Sequence, residues 1–243
     1  MKTQLLGAAF GLLLCTRPAV AQDLSPALDP VMLGQGLVLS STMYAQAERD
    51  AARKGIKLKD TASPTKSPAA RLTYTPTPAL RQQTVRNLAQ RLQQSKPAQA
   101  QYLQAAYGPG KANYAQLYSA GLKGSGFQDN DAASALAAYM EIAYAVVNNV
   151  QNEALITPAM DRGLRNQVAG ILGRNPAARN PATLAQVGEE LKLQTVILAT
   201  GWQQSRQTGQ TATFRANIAR QFSNQFGFDL TKVRLTERGF AAK

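Results

Sequence analysis

Beyond residue 78 the apolar residues of this chain recur almost everywhere at helical spacing. Val85, Leu88, Ala89 and Leu92 form one stripe in a segment that Pro78 opens and that ends near Lys96-Pro97. Residues 98–107 and 111–121 predict two short Tyr-bearing helices, parted by the breaker Gly108-Pro109-Gly110. A glycine-rich turn at residues 121–126 then precedes Asp129-Asn130-Asp131, three N-capping residues in a row. They introduce the most apolar predicted helix, about residues 132–150, in which Glu141 is the single charge. A helix apolar nearly all round belongs at the centre of a fold.

Two further helices show clean periodicity. Met160, Leu164, Val168, Ile171 and Leu172 keep the period until Gly173 and Pro176 stop it. Leu184, Val187, Leu191, Leu198 and Trp202, at offsets 0, 3, 7, 14 and 18, predict an amphipathic helix of about 25 residues. Phe214, Ile218, Phe222 and Phe226 recur every four residues up to Gly227. Residues 230–235 then alternate apolar and basic, as a short terminal strand or extended tail would. The pattern as a whole predicts an all-α bundle of six to seven helices.

The beginning of the chain is different. Lys2, an apolar run at residues 5–15 and Ala19-Val20-Ala21 have the three parts of a secretory signal peptide, residues 1–21, cleaved after Ala21. Its apolar run is shorter than the roughly 20 residues a membrane-spanning helix needs, and nothing later in the sequence reaches that length. The mature protein is therefore expected in the periplasm or outside the cell, without a transmembrane helix. Residues 22–60 read as a partly helical arm. Pro64, Pro68, Pro76 and Pro78 mark residues 61–78 as an exposed linker, leaving a helical domain at residues 79–240.

Composition removes whole classes of chemistry. The 243 residues contain no histidine, and the single cysteine, Cys15, falls in the expected signal peptide. This excludes Ser-His-Asp and Cys-His nucleophile systems, thiol redox chemistry and His/Cys zinc sites from the mature chain. No cofactor or metal is expected. The 129–131 cluster lacks the Gly and Glu that a calcium loop needs at its sixth and twelfth positions, where Ser134 and Met140 stand. Gly110-Lys111 lacks the remainder of a phosphate loop, and Gly124-Ser125-Gly126 has no histidine to activate its serine. Both are turns.

Three groups of residues remain as candidates. Glu141, a carboxylate on a nearly apolar helix, is suited to a raised pKa and general-acid work, as in glycan cleavage. Tyr102, Tyr107, Tyr114 and Tyr118 cluster near Lys111; stacking on sugars is one reading, and buried rings with wet hydroxyls the structural one. The third group is basic. Removing residues 1–21 takes away Lys2 and Arg17 and lowers the formal charge from +13 to +11. Arg162 and Arg165 share a helix face, and Arg215, Arg220, Lys232 and Arg234 lie in a basic C-terminal stretch. These six are the expected polyanion-binding residues. An anionic envelope polymer or another protein is the expected partner; no nucleic-acid-reading motif accompanies the charge.

Tyr74-Thr75-Pro76-Thr77-Pro78, Asn130-Asp131-Ala132-Ala133, Phe226-Gly227-Phe228-Asp229-Leu230 and Leu235-Thr236-Glu237-Arg238-Gly239-Phe240 are further marks of this chain. With them it resembles, over about residues 72–240, an uncharacterised family of secreted bacterial helical proteins. Met140 and Ile142 stand where that resemblance leads one to expect aromatic residues. It implies secretion and helicity, and no chemistry. The functional expectation is an exported, non-enzymatic helical protein of the bacterial envelope or exterior with a protein- or polyanion-binding surface. A glycan-cleaving enzyme using Glu141 and an anionic-membrane protein using residues 31–39 are the alternatives.

Overall fold

The computed structural model describes residues 72–243, so the expected signal peptide, the arm, residues 31–39 and most of the linker lie outside it. Seven α-helices follow in order: α1 (Pro78–Ser95), α2 (Pro97–Tyr107), α3 (Tyr114–Gly121), α4 (Ala132–Val147), α5 (Pro158–Leu172), α6 (Pro181–Gln207) and α7 (Thr211–Phe226). A two-stranded hairpin, β1 (Val233–Thr236) and β2 (Gly239–Ala242), closes the chain. The all-α bundle read from the sequence is the observed fold.

Local chemistry explains the helix boundaries. Pro78, Pro97, Pro158 and Pro181 open α1, α2, α5 and α6, where a missing N–H costs nothing. Thr77, Asn113, Asp131, Thr157 and Asn180 each accept a first-turn N–H through the side chain, satisfying donors a helix leaves open. Gly227, in the left-handed region at φ 57°, ends α7.

α4 and α6 form the central pair, packed along each other. Alanines line α4, so the two backbones approach closely and α4 is buried on nearly every side. On one flank α1, α2 and α3 bury Val85, Leu88, Leu92, Leu103 and Tyr114 against Leu193, Val196 and Ile197 of α6. On the other flank α5, α7 and the hairpin bring Leu164, Val168, Ile218, Phe222, Val233 and Phe240 against α4. Tyr139 of α4 stacks on Phe222 of α7 at 5.4 Å between centroids.

Residues 72–77, the end of the expected linker, run extended with alternate side chains inward: Leu72 is buried, Thr73, Thr75 and Thr77 are exposed, and Thr73 bridges Asp131 in antiparallel fashion. Tyr74 N–H donates to the Asn130 carbonyl at 2.9 Å, and Ala132 N–H to that of Leu72 at 2.9 Å. Leu72 and Tyr74 give a Pro- and Thr-rich segment enough apolar surface to join the core. Of the two readings of residues 230–235, a short strand or an extended tail, the strand is the observed one from Val233 onward, after a 3-10 turn at Leu230–Lys232.

The hairpin sits on α5 through a glycine. A Cβ at Gly163 would lie 2.1 Å from the Glu237 carbonyl oxygen, so only glycine admits that turn. Gln167, one turn on, accepts from Phe240 N–H at 2.9 Å and donates to its carbonyl at 3.0 Å. Gly163→Ala is therefore expected to destabilise the fold by about 1–3 kcal/mol through overpacking. Gly170→Ala, on the same helix with nothing within 4 Å, should instead stabilise by about 0.4–1 kcal/mol. Urea denaturation of both variants checks the contrast; equal effects would mean the hairpin is not seated on α5.

Candidate functional site

Lys192 is the least expected side chain in the molecule. It lies midway along α6 and its side chain is 1 % exposed. Its Nζ donates to Asp129 Oδ1 at 2.6 Å and to Asn130 Oδ1 at 2.6 Å, and pairs with Glu189 Oε1 at 3.1 Å. The rings of Tyr74 and Tyr118 flank it, each 5.4 Å from Nζ. Asn130 takes a positive φ of 55°, which its short polar side chain tolerates.

Glu189, one turn earlier on α6, is fully buried and gathers the neighbouring elements. Tyr74 Oη donates to its Oε1 at 3.0 Å; Tyr114 Oη and Arg81 Nε donate to Oε2 at 2.9 and 3.3 Å. Tyr74 can reach it because its ring lies on Gly188, where a Cβ would come within 2.2 Å of the ring. Asp131 continues the network beyond the α4 cap. Its carboxylate accepts from Arg165 Nε and Nη2 at 3.0 and 3.1 Å and from Ser134 Oγ at 2.8 Å. Arg91 and Glu190 join α1 to α6 nearby.

The protonation states follow from burial and charge. Burial, and then the neighbouring Glu189, push the phenols of Tyr74 and Tyr114 well above the ordinary tyrosine value, so both stay donors. Burial also raises the Asp129 carboxyl, but hydrogen bonds from Lys192 and Ser119 outweigh it and hold the group below the usual carboxylate range. The network offers fixed charges and fixed donors. Its chemistry is fastening rather than proton transfer near neutral pH.

The sequence reading placed the 129–131 cluster correctly as a cap but saw only part of its role. Asp131 is the cap, whereas Asp129 and Asn130 hold Lys192. Lys192 and Glu189 themselves were missed, because the periodicity of Leu184, Leu191 and Leu198 describes one face while residues 188–198 are buried on all of them. The available signal was a lone lysine inside the otherwise uncharged run 191–205. The tyrosines are the structural case, but their hydroxyls are not all wet: that of Tyr118 is buried without a partner. Tyr107, Tyr114 and Tyr118 are buried, and the Tyr114 hydroxyl meets a carboxylate rather than water.

The six expected polyanion-binding residues divide. Arg165 is ion-paired with Asp131, and Arg215 donates to the Val147 carbonyl at 2.9 Å, at the negative end of the α4 dipole. Neither presents a free cation. Arg162, Arg220 and Arg234 are exposed, and so is Lys232, which pairs with Asp229 at 3.5 Å. The Glu237-Arg238 turn rests on Gly163, and Arg238 is an exposed cation not singled out earlier. Glu141, the candidate general acid, is turned inward: its Oε2 is buried without a hydrogen-bond partner, and its carboxyl faces that of Asp161. Among the described residues no group of three or more His, Cys, Asp or Glu could hold a metal ion.

Charge is sorted by the fold. Among the described residues, twelve Lys and Arg are exposed against three acids, Asp129, Glu153 and Glu237. The same residues hold 18 Lys and Arg against nine Asp and Glu in all, so the surface is more one-sided than the composition.

The family model described as "Family of unknown function (DUF6683)" matches residues 1–243. The chain belongs to that family. Membership agrees with the resemblance to an uncharacterised family and extends it from residues 72–240 to the whole sequence. No curated protein and no solved structure matches the chain. Among the described residues no helix is long and apolar enough to cross a membrane.

Lys192→Met is expected to cost about 3 kcal/mol, the range for breaking a buried pair from one side. Guanidinium denaturation measures it; a loss below about 1 kcal/mol, the surface-pair range, would refute the buried network. Asp129 contributes stability above the ordinary aspartate range that is lost as pH falls through its depressed folded value. Asp129→Asn should accordingly flatten the acid limb of stability against pH.

Proposed function

We propose that this family member is an exported helical protein of the bacterial envelope or exterior that binds an anionic polymer through its cationic surface, without catalysis of its own. The observation that carries this reading is the sorting of charge: acids pair inside, and the excess of Lys and Arg faces out. Asp131, Asp161, Glu189 and Glu190 are all buried, so they cannot offset the exposed cations locally. A surface with four cations per acid concentrates polyanions around it.

Apolar docking has little support by comparison. Among the described residues the one exposed large hydrophobic side chain is Leu155. The part of the surface richest in candidates runs from α5 to the hairpin and includes Arg162, Lys232, Arg234 and Arg238. Lys243 borders it but is tied back to Asn148 and the Thr231 carbonyl.

Co-sedimentation of the purified protein with isolated cell-envelope material, repeated across a salt series, tests the proposal. Retention should fall steeply with salt, since exposed charges are screened beyond about 10 Å at 0.1 M. Arg162→Glu with Arg234→Glu and Arg238→Glu should weaken low-salt retention several-fold while leaving the helical content unchanged. No retention at low salt, or retention indifferent to salt, would overturn the reading.

A further inference from the structure

A second polar cluster lies apart from the Lys192 network, in the seam between α4 and α5. Asp161, in the first turn of α5, is 3 % exposed, and its Oδ2 accepts from Gly126 N–H at 2.8 Å. Its Oδ1 has no donor, and neither has the buried Oε2 of Glu141 on α4. The two carboxyls lie against each other across the seam. An ionised carboxylate is an acceptor only, so a contact between two carboxylates has no hydrogen to form it. One proton placed between them satisfies both oxygens.

The surroundings supply no alternative. From α3, Tyr118 approaches Glu141; its phenol is neutral, and its hydroxyl is buried without a partner. From α5, Arg165 is bound to Asp131, and Arg162 is exposed with its stem beside Gly126. From α6, Lys192 and Glu189 are paired with each other and lie against Tyr118. Among the described residues neither Glu141 nor Asp161 is ion-paired with a cation. The loop is also tightly seated, since a Cβ at Gly126 would lie 2.2 Å from the Pro158 carbonyl oxygen and 3.0 Å from Asp161 Cβ.

We propose that Glu141 and Asp161 hold one proton in common, and that this proton latches α5 to α4 as a pH-operated clasp. α5 carries the exposed Arg162, the Arg165–Asp131 pair and the seat of the hairpin, so opening the clasp loosens all three. The proposal does not rest on polymer binding, and either can fail without the other.

Burial, and then the Asp161 carboxyl, raise the Glu141 carboxyl well above its ordinary value. The folded chain thus keeps a proton that the unfolded chain gives up. Stability then falls as pH rises, from the ordinary glutamate range up to the pH at which the pair deprotonates, and levels off above it.

The test is urea denaturation of the full chain and of Glu141→Gln between about pH 5 and about pH 9, above the ordinary carboxylate range. In the wild type the unfolding constant should rise by up to tenfold per pH unit over part of that range. Glu141→Gln carries a permanent N–H toward Asp161 Oδ1, and should be flat over the same range and more stable at its alkaline end. Equal slopes in both proteins would overturn the clasp. Carboxyl-carbon NMR of the wild type gives a second reading that no variant's folding can obscure. One carboxyl of the pair should titrate far above the other; both titrating near the ordinary value, about 4, would overturn it as well.

Discussion

One buried ammonium group organises this fold. Lys192 Nζ joins the middle of α6 to the loop before α4, and Glu189 beside it joins α6 to α1, α3 and residue 74. A lysine in that position is costly to desolvate, and its presence requires that each neighbour be placed to within hydrogen-bond distance. Replacing such a cluster by well-packed apolar residues is often neutral or stabilising, so its effect here is better described as register than as strength. Leu-on-Leu contacts along α6 would tolerate sliding; a lysine with three oxygen partners does not.

That requirement accounts for several details elsewhere. Asn130 adopts a left-handed backbone, Gly188 gives up its side chain to the Tyr74 ring, and the extended residues 72–77 cross the entry to α4. Each places an oxygen or a ring around one nitrogen. Keeping six acids wholly or partly inside has an outward effect too, because positive charge then dominates what solvent meets.

How much of this the sequence discloses depends on the kind of signal. Helix identity is legible because apolar period, proline starts and Asx or Thr caps agree with one another at α1, α5 and α6. The packed state of residues 72–77 is not, since proline content outweighs two good core residues, Leu72 and Tyr74, in any local reading. Arg165 and Arg215 illustrate a second limit. Spacing shows which cations share a face, but not whether Asp131 or the Val147 carbonyl already holds them. Glu141 shows a third: its apolar helix predicts burial, and its partner, Asp161, becomes visible only when α5 is laid against α4.

The placement of Tyr74 has a consequence for how the molecule assembles. Its hydroxyl waits for Glu189, which lies 115 positions further along the chain, and its ring needs Gly188 to close over. At the other end, Phe240 meets Gln167 across 73 positions. Contacts of such long sequence separation cannot form until nearly all the polypeptide has emerged, and closing them late slows folding. Neither end can therefore be trimmed to the helices alone: a fragment beginning at residue 79 would take the Tyr74 donor from buried Glu189, and one ending before residue 233 would lay α5 open. A chain built in this way completes its native structure only once its full length is free.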